Sequence, residues 1–305
     1  MPIVWQLSAT HFKTNTLIHG VIVKDGAIIF NSDLGSFRNF YRLLRSYFVS
    51  LFSKKEIIIE ADGRQIKTKT DKNGEFSLNV DFLVRERVDI GIANENGPHL
   101  NLIQQFPVIF PERSGPYEVI SDIDDTIMAS YTADFIKRVT TVAFKSPQKR
   151  RSIDYTYHLF QALEKQDSRV FYVSKSESNL YSMISTFLDH HNFPRGDIFL
   201  TPYLKFNQRF HSKKGKSYKE ETVSFIIKNS GKQFILVGDD SQIDMDTYAT
   251  IVKKFPGRVF RIYIRQTKSF RSKHQLQKWQ ELKATGVPVI YFNKNDVFDE
   301  NSLTT

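Results

Sequence analysis

There is no cysteine in this chain of 305 residues. That excludes disulfide bridges, a thiolate nucleophile, and zinc or iron–sulfur sites built on cysteine. It leaves the compartment open. No run approaches the roughly 18 uninterrupted apolar residues of a membrane-spanning helix. The opening Met1-Pro2-Ile3-Val4-Trp5 also lacks the basic segment and apolar core of a secretory signal, so a cytoplasmic protein is expected. Acidic residues are in deficit: 43 Lys and Arg face 33 Asp and Glu, a formal charge of +10 at pH 7. That balance suits an anionic partner, whether nucleic acid, lipid surface or phosphorylated substrate, and equally a plain lysine-rich surface. What the chain does have is apolar bulk. Hydrophobic residues make up 40%, with 26 Phe and 13 Tyr, enough to bury a sizeable core in one large domain or two.

The first third reads as β structure. Short apolar runs at 4–7, 17–23 and 27–30, punctuated by Gly20, Gly26 and Gly35, predict strands and turns. Residues 36–53 break the pattern. Phe37, Phe40, Tyr41, Leu44, Tyr47, Phe48 and Leu51 recur at helical spacing, with Arg38, Arg42 and Arg45 between them. Two readings stay open: a helix packed on the β domain, or a basic amphipathic helix making peripheral contact with an anionic membrane. Strands resume at 56–61 and 65–70 across Asp62-Gly63, and again at 75–80 after the turn Asp71-Lys72-Asn73-Gly74. Residues 87–93 predict one more. The turn-prone stretch 110–116 marks a boundary. Residues 1–112 are thus expected to form a β-rich, sandwich-like domain with a helical insertion at 36–53, and 113–305 a second domain.

From 117 the rhythm changes to strand, helix, strand. Strands are predicted at 117–121, 169–173, 197–200, 233–237, 259–264 and 287–292. Helices are predicted at 177–190 (Leu180, Ile184, Phe187, Leu188), 219–229 (Val223, Phe225, Ile226, Ile227) and 273–284 (Leu276, Trp279, Leu282). Alternation of this kind implies a mostly parallel sheet covered on both faces. Right-handed crossovers then gather the strand C-termini on one edge. Three apolar runs end there in polar residues: Asp122, Asp124 and Asp125 beside Thr126; Ser174 and Ser176; Asp239, Asp240 and Asp244. Crowded carboxylates repel unless a cation joins them. Taken alone, the first cluster also admits the less favoured reading of a solvated acidic turn.

The order of these words resembles the haloacid-dehalogenase-like phosphohydrolase superfamily, whose Asp-x-Asp-x-Thr pattern is met by Asp122, Asp124 and Thr126. Its strand-end Ser is met by Ser174, its Lys by Lys219 and its acidic pair by Asp239 and Asp244. The words at 121–127, 172–181, 193–196, 237–248, 255–258 and 262–265 are similar to the App1-type phosphatidate phosphatase catalytic domain over roughly residues 115–292. The resemblance implies a haloacid-dehalogenase-like, Rossmann-like three-layer α/β fold preceded by a small N-terminal β-rich domain. It also implies a Mg²⁺-dependent phosphomonoester hydrolase that works through an aspartyl phosphate, turning phosphatidate into diacylglycerol and phosphate. By the same resemblance Asp122 is the nucleophile, Asp124 the acid and base, Ser174 a phosphate donor and Lys219 the neutralising cation. Asp122, the Asp124 carbonyl and Asp239 would hold Mg²⁺, with Asp244 or Asp240 completing the shell and Asp246 an outside candidate.

Some details depart from the family. Tyr218 stands where its lysine is usually preceded by His, Glu177-Ser178 where Pro-Trp is common, and Asp240 where Ser is favoured. These put substrate identity in question rather than the chemistry. A nucleotide, nucleic-acid end or other soluble phosphomonoester is the alternative substrate, and a non-enzymatic adaptor the alternative class. No specific nucleic-acid partner is expected, since no ordered aromatic platform stands out. Two further stretches are candidates for lining the site: 127–168, with Phe135, Val139, Val142, Phe144 and Lys149-Arg150-Arg151, as a small cap, and the basic loop 205–219.

Overall fold

The computed structural model describes residues 2–25, 41–42, 45–93, 99–128, 153–202, 214–240, 243–268 and 270–303. The chain divides into two compact units. One holds Met1–Glu112, Glu177–Phe187 and Pro202–His211; the other holds Arg113–Ser176, Leu188–Thr201 and Ser212–Thr305.

The first unit is built on β1 (Ile3–Phe12), β2 (Asn15–Asp25), β3 (Ser50–Leu51), β4 (Glu56–Ala61), β5 (Arg64–Lys69), β6 (Glu75–Val80), β7 (Val88–Ile92), β8 (Asn101–Leu102) and β9 (Ile109–Phe110). One sheet orders β3-β2-β1-β8, with β6 on β2 and β9 on β1; the other orders β5-β4-β7. Alternation along β4 points Ile57, Ile59 and Ala61 inward. They share one apolar cluster with Val4, Ile18, Ile22 and Phe76 of the larger sheet, as expected of a sandwich. Gly74, at φ +74°, closes the turn before β6. A Cβ there would lie 2.5 Å from the Ile22 carbonyl oxygen, so only glycine fits.

A helix running through residue 53 is overturned, because Ser50–Leu51 is a strand paired antiparallel to β2. Val49 and Phe52 are buried, whereas Tyr41 is 62% and Phe48 82% exposed. An aromatic run at mixed spacing served both a short helical stretch and a strand. Phe37, Phe40, Leu44 and Arg38 lie outside the described residues, as does the strand expected at 27–30.

The second unit is an open sheet in the order β12-β11-β10-β13-β14-β15. Its strands are β10 (Tyr117–Ser121), β11 (Arg169–Glu177), β12 (Asp197–Thr201), β13 (Gln233–Asp239), β14 (Val259–Arg265) and β15 (Val289–Phe292). Pairing from β11 to β15 is parallel throughout. The helices in this part of the chain are α1 (Asp154–Lys165), α2 (Tyr181–His190), α3 (Lys214–Asn229), α4 (Asp244–Lys254) and α5 (Lys273–Lys283), with α2 through Phe187 counted in the first unit. Central strands covered on both faces read as unbroken apolar runs, and β13 is buried at every residue after Gln233. The chain steps from β10 outward to β12, then returns to the other side of β10 as β13. In such a sheet the crevice at this reversal, beyond the strand C-termini, is where ligands bind.

Helix α3 starts at Lys214, not 219, so Lys219 lies inside the helix. The lysines ahead of it are good helix formers and extend the helix. In α5, Leu276 is 38% exposed rather than packed, and the buried residues are Gln275 and Leu282. Of the cap expected at 127–168, residues 129–152 lie outside the described residues, as do residues 205–213 of the basic loop expected at 205–219.

One buried ion pair fixes a register. Glu118 and Arg169 face each other across β10 and β11. Their side chains are 1% and 3% exposed, and Arg169 donates from Nε and Nη2 to Glu118 Oε1. Arg169→Met would leave that carboxylate buried without its cation and is expected to cost about 3–5 kcal/mol in urea denaturation. Replacing both partners, Glu118→Leu together with Arg169→Met, is expected to cost much less. Equal losses would show that the pair does not act as a unit.

Candidate active site

The carboxyl end of β10 bends sharply. Asp122 continues the sheet, its N–H donating to Val237 O at 2.9 Å. Asp125 then takes φ +57°, and its N–H reaches Met128 O at 2.9 Å. Left-handed backbone at a non-glycine residue is tolerated best by Asp and Asn. Arg265, at the end of β14, donates from Nη1 to the Asp125 carbonyl and holds the turn from below. The turn leaves Asp122 and Asp124 buried at the crevice.

Three carboxylates meet there. Asp122, Asp239 and Asp244 each offer one oxygen, and these atoms lie within 4.8 Å of one another. Asp239 ends β13 and Asp244 opens α4, which Tyr248 anchors by donating to Val237 O at 2.8 Å. Gly238 makes this approach feasible: a Cβ there would sit 2.6 Å from Asp244 Oδ2. Asp244 Oδ2 in turn accepts the Asp239 N–H at 3.2 Å.

Lys219 supplies the positive charge. Its Nζ lies 2.7 Å from Asp122 Oδ1 and 2.6 Å from Asp244 Oδ1, with the side chain only 1% exposed. Burial alone would push the ammonium down, but Asp122 and Asp244 overcome it and hold Lys219 above the ordinary lysine range. Burial pushes Asp122 up to about 7; Lys219 pulls the other way, and Asp244 and Asp124 add to the rise. One lysine cannot neutralise three carboxylates. A hard divalent cation fits this all-oxygen donor set, so the cluster could chelate one.

Asp124 faces a different wall. Ser176 Oγ donates to its Oδ2 at 2.5 Å, and Ser174 Oγ lies 3.3 Å from the same oxygen. The Ser176 N–H donates to Ser174 Oγ at 3.0 Å, locking the two serines together. Thr126 Oγ1 sits 3.3 Å from Asp122 Oδ2.

All the residues expected at the site therefore converge, in two adjoining groups: Asp122, Lys219, Asp239 and Asp244, and Asp124 with Ser174. The two competitors for the acidic shell point elsewhere. Asp240 Oδ1 accepts from Thr267 N at 2.9 Å and Thr267 Oγ1 at 2.6 Å, while Oδ2 takes the Tyr291 hydroxyl. Asp246 pairs with Lys278 at 2.7 Å.

Sequence reasoning placed Ser176 at this edge but gave no role to it, to Arg265 or to Lys175. The signal for Ser176 was the Ser-x-Ser alternation at a strand end, which puts both hydroxyls on one face. Lys175 lies between them. Burial, with a smaller push from Lys219, holds it below the ordinary lysine range against the pull of Asp244, Asp122 and Asp239, so it lies within electrostatic reach of the acidic cluster.

Fold and site together define a Rossmann-like α/β domain with a buried carboxylate cluster at its topological switch point, preceded in the chain by an N-terminal β domain. Residues 117–266 match the family described as "Phosphatidate phosphatase APP1, catalytic domain", and this part of the chain belongs to that family. Similar proteins include phosphatidate phosphatase APP1 of Saccharomyces cerevisiae, 31% identical over 203 residues, covering 64% of this chain and 34% of that protein. An uncharacterized protein of Schizosaccharomyces pombe is 24% identical over 201 residues, covering 66% of this chain and 32% of its own length. The chain thus spans about a third of the length of the curated relatives it matches. Among solved structures, a chain of the Pnkp1/Rnl/Hen1 RNA repair complex overlaps 61% of this chain and 44% of its own at TM-score 0.35 and 14% identity. Overlap at that level supports no statement about fold or ligand.

Proposed function

We propose that this chain is a Mg²⁺-dependent phosphomonoester hydrolase whose substrate is phosphatidate. The observation that carries the reading is the convergence of Asp122, Asp239 and Asp244 on Lys219 at the switch point. The name of the yeast relative supplies the substrate. In the first step an Asp122 oxygen bonds to phosphorus as the phosphorus–ester oxygen bond breaks, and Asp124 gives its proton to the departing diacylglycerol oxygen. In the second, Asp124 takes a proton from water, the water oxygen bonds to phosphorus, and the bond to Asp122 breaks to release phosphate. Ser176 holds the Asp124 carboxylate in place for both transfers. Ser174 donates to a phosphate oxygen, and Lys219 and Lys175 offset charge that builds on the others. Asp122, Asp239, Asp244 and the Asp124 carbonyl would hold Mg²⁺, which supplies charge neutralisation between phosphate and Asp122.

The proposal includes two functional domains, 1–112 and 113–305, supported by the division of compact units at Glu112 and Arg113. It also includes a cytoplasmic setting with peripheral contact to anionic membrane. No helix among the described residues is long and apolar enough to cross a membrane.

Phosphate release from phosphatidate vesicles, nucleotides and sugar phosphates, with Mg²⁺ and with chelator, tests this reading. Phosphatidate is expected to turn over fastest, and chelator to stop it. Faster turnover of a nucleotide would move the substrate to a soluble phosphomonoester. Metal binding carries its own expectation. Because the Asp122 carboxyl is pushed up to about 7, it is largely protonated at pH 6 and the ion must displace that proton. Mg²⁺ is therefore expected to bind about tenfold more weakly at pH 6 than at pH 8, with one proton released at the lower pH. Calorimetry in two buffers of different ionisation enthalpy measures both; equal affinities without proton release would contradict it.

A further inference from the structure

Exposed apolar side chains on the second unit are not scattered. Among its described residues the exposed large hydrophobics are Phe270 at 73%, Leu276 at 38% and Val297 at 87%. Single exposed apolar residues are ordinary, but these cluster by topology. Phe270 lies on the loop after β14 and Val297 on the loop after β15, and those strands pair with Arg265 opposite Phe292. Leu276 is in the first turn of α5, which starts where the first of these loops ends. All three therefore belong to the edge of the sheet that carries Asp122, Ser174 and Asp239.

Each loop has an anchor beside its exposed tip. Arg271 stacks over Tyr291 at 3.9 Å and Trp279 at 4.7 Å, next to Phe270. Asp240 ties down Thr267 at the start of the same loop, and Ser272 closes it with a capping box to Gln275. Phe298 is buried edge-on against Tyr155 at 5.5 Å, next to Val297. Phe270 and Val297 are thus held outward by ordered neighbours.

The charges around Phe270 have one sign, whereas Val297 has acids as well as a lysine beside it. Lys268, Lys273 and Lys294 are exposed, and none pairs with a carboxylate among the described residues. Beside Val297, Asp296 accepts the Asn293 N–H at 2.8 Å, Glu300 pairs with Lys165 at 2.8 Å, and Asp299 is exposed, so the basic character lies on the Phe270 side.

We infer that the loops bearing Phe270 and Val297 form a docking surface for an anionic lipid bilayer, aimed so that the edge holding the carboxylate cluster faces the membrane. The apolar tips enter the boundary between headgroups and acyl chains, and the three lysines meet lipid phosphates. This rests on the reading that the substrate is a membrane lipid, and it assigns the contact to loops of the catalytic unit rather than to residues 36–53.

The test uses the full chain and vesicles of phosphatidylcholine with or without phosphatidylserine, which carries no phosphomonoester. Wild type is expected to co-sediment with the anionic vesicles at low salt and to be released as salt shortens the Debye length. The double variant Phe270→Ser, Val297→Ser is expected to bind about tenfold more weakly. Its hydrolysis of phosphatidate in vesicles should fall by a similar factor, while hydrolysis of monomeric short-chain phosphatidate stays at the wild-type rate. Unchanged binding and vesicle turnover in the folded variant would overturn the inference and leave the proposed reaction standing. Binding without hydrolysis of any phosphatidate by wild type would do the reverse. If the double variant fails to fold, Phe270→Trp decides: its emission should shift to the blue on adding anionic vesicles, and no shift would overturn the docking surface.

Discussion

Asp122→Asn is expected to lose phosphatase activity by roughly 10⁴- to 10⁶-fold, the scale on which removal of a catalytic nucleophile is felt. The amide has nearly the size of the carboxyl, and Lys219 keeps its second partner, Asp244, at 2.6 Å. Folding should therefore survive, and the sign of the stability change can be worked out. The carboxyl is pushed up from its unfolded value to about 7, chiefly by burial, so the folded state holds this proton more tightly than the unfolded chain. As pH rises from about 4 to about 7, ionisation of Asp122 costs the folded state stability, and the cost stays constant above that. The asparagine carries no such cost. In chelator above pH 7 the variant should be at least as stable as wild type while inactive. Near-wild-type phosphate release from folded Asp122→Asn, by phosphate assay beside circular dichroism, would remove Asp122 as nucleophile.

Lys219→Met should act on stability and activity together. It removes the cation lying 2.7 Å from Asp122 and 2.6 Å from Asp244, in a site where all three side chains are buried. Breaking a buried pair from one side leaves the carboxylates uncompensated, and a loss of about 3–5 kcal/mol in chelator is expected. Adding Mg²⁺ should restore part of that stability, because the ion brings positive charge to the same oxygens. It should not restore turnover, since the lysine proposed to offset charge on the phosphate oxygens stays missing. Lys219→Arg should not rescue either, because a planar fork does not fit where a point charge sits between two oxygens. Urea denaturation with and without Mg²⁺ reads the first effect and phosphate release the second. Wild-type stability of Lys219→Met in chelator would show that the lysine does not hold the cluster.

Much of this arrangement was legible in the sequence, because apolar runs ending in Asp or Ser are what a parallel sheet with a site at its carboxyl edge requires. The limits of that reading are physical. Strand β1 runs from Ile3 to Phe12, well past the apolar run at 4–7, because Ser8 and Thr10 are buried within it and His11 Nε2 meets Val84 O at 2.5 Å. Buried polar side chains such as these leave no apolar trace in sequence. Helix α4 opens with acidic residues, so Asp244 and Asp246 were both readable as candidates for the metal shell. Their different fates, Asp244 on Lys219 and Asp246 on Lys278, depend on which face of that first turn meets the sheet. Asp240 stood as the alternative to Asp244 for completing the shell. Its partners, Thr267 and Tyr291, come from strands β14 and β15 and their loops, which no local pattern links to it. Arg265 was visible only as a basic residue at a strand end, since its target is a carbonyl 140 positions away.

The most direct test of the central claim is to trap the covalent intermediate. The chain should be mixed with phosphatidate and Mg²⁺ and quenched in acid within a turnover, using Asp124→Asn to slow the second step. Peptide mass spectrometry then reads the stretch containing Asp122. The account predicts a mass gain of about 80 Da on that peptide, localised to the Asp122 carboxyl, which disappears on treatment with hydroxylamine and is absent in Asp122→Asn. Steady release of phosphate with no phosphorylated Asp122 at any quench time, or the label on another residue, would contradict it.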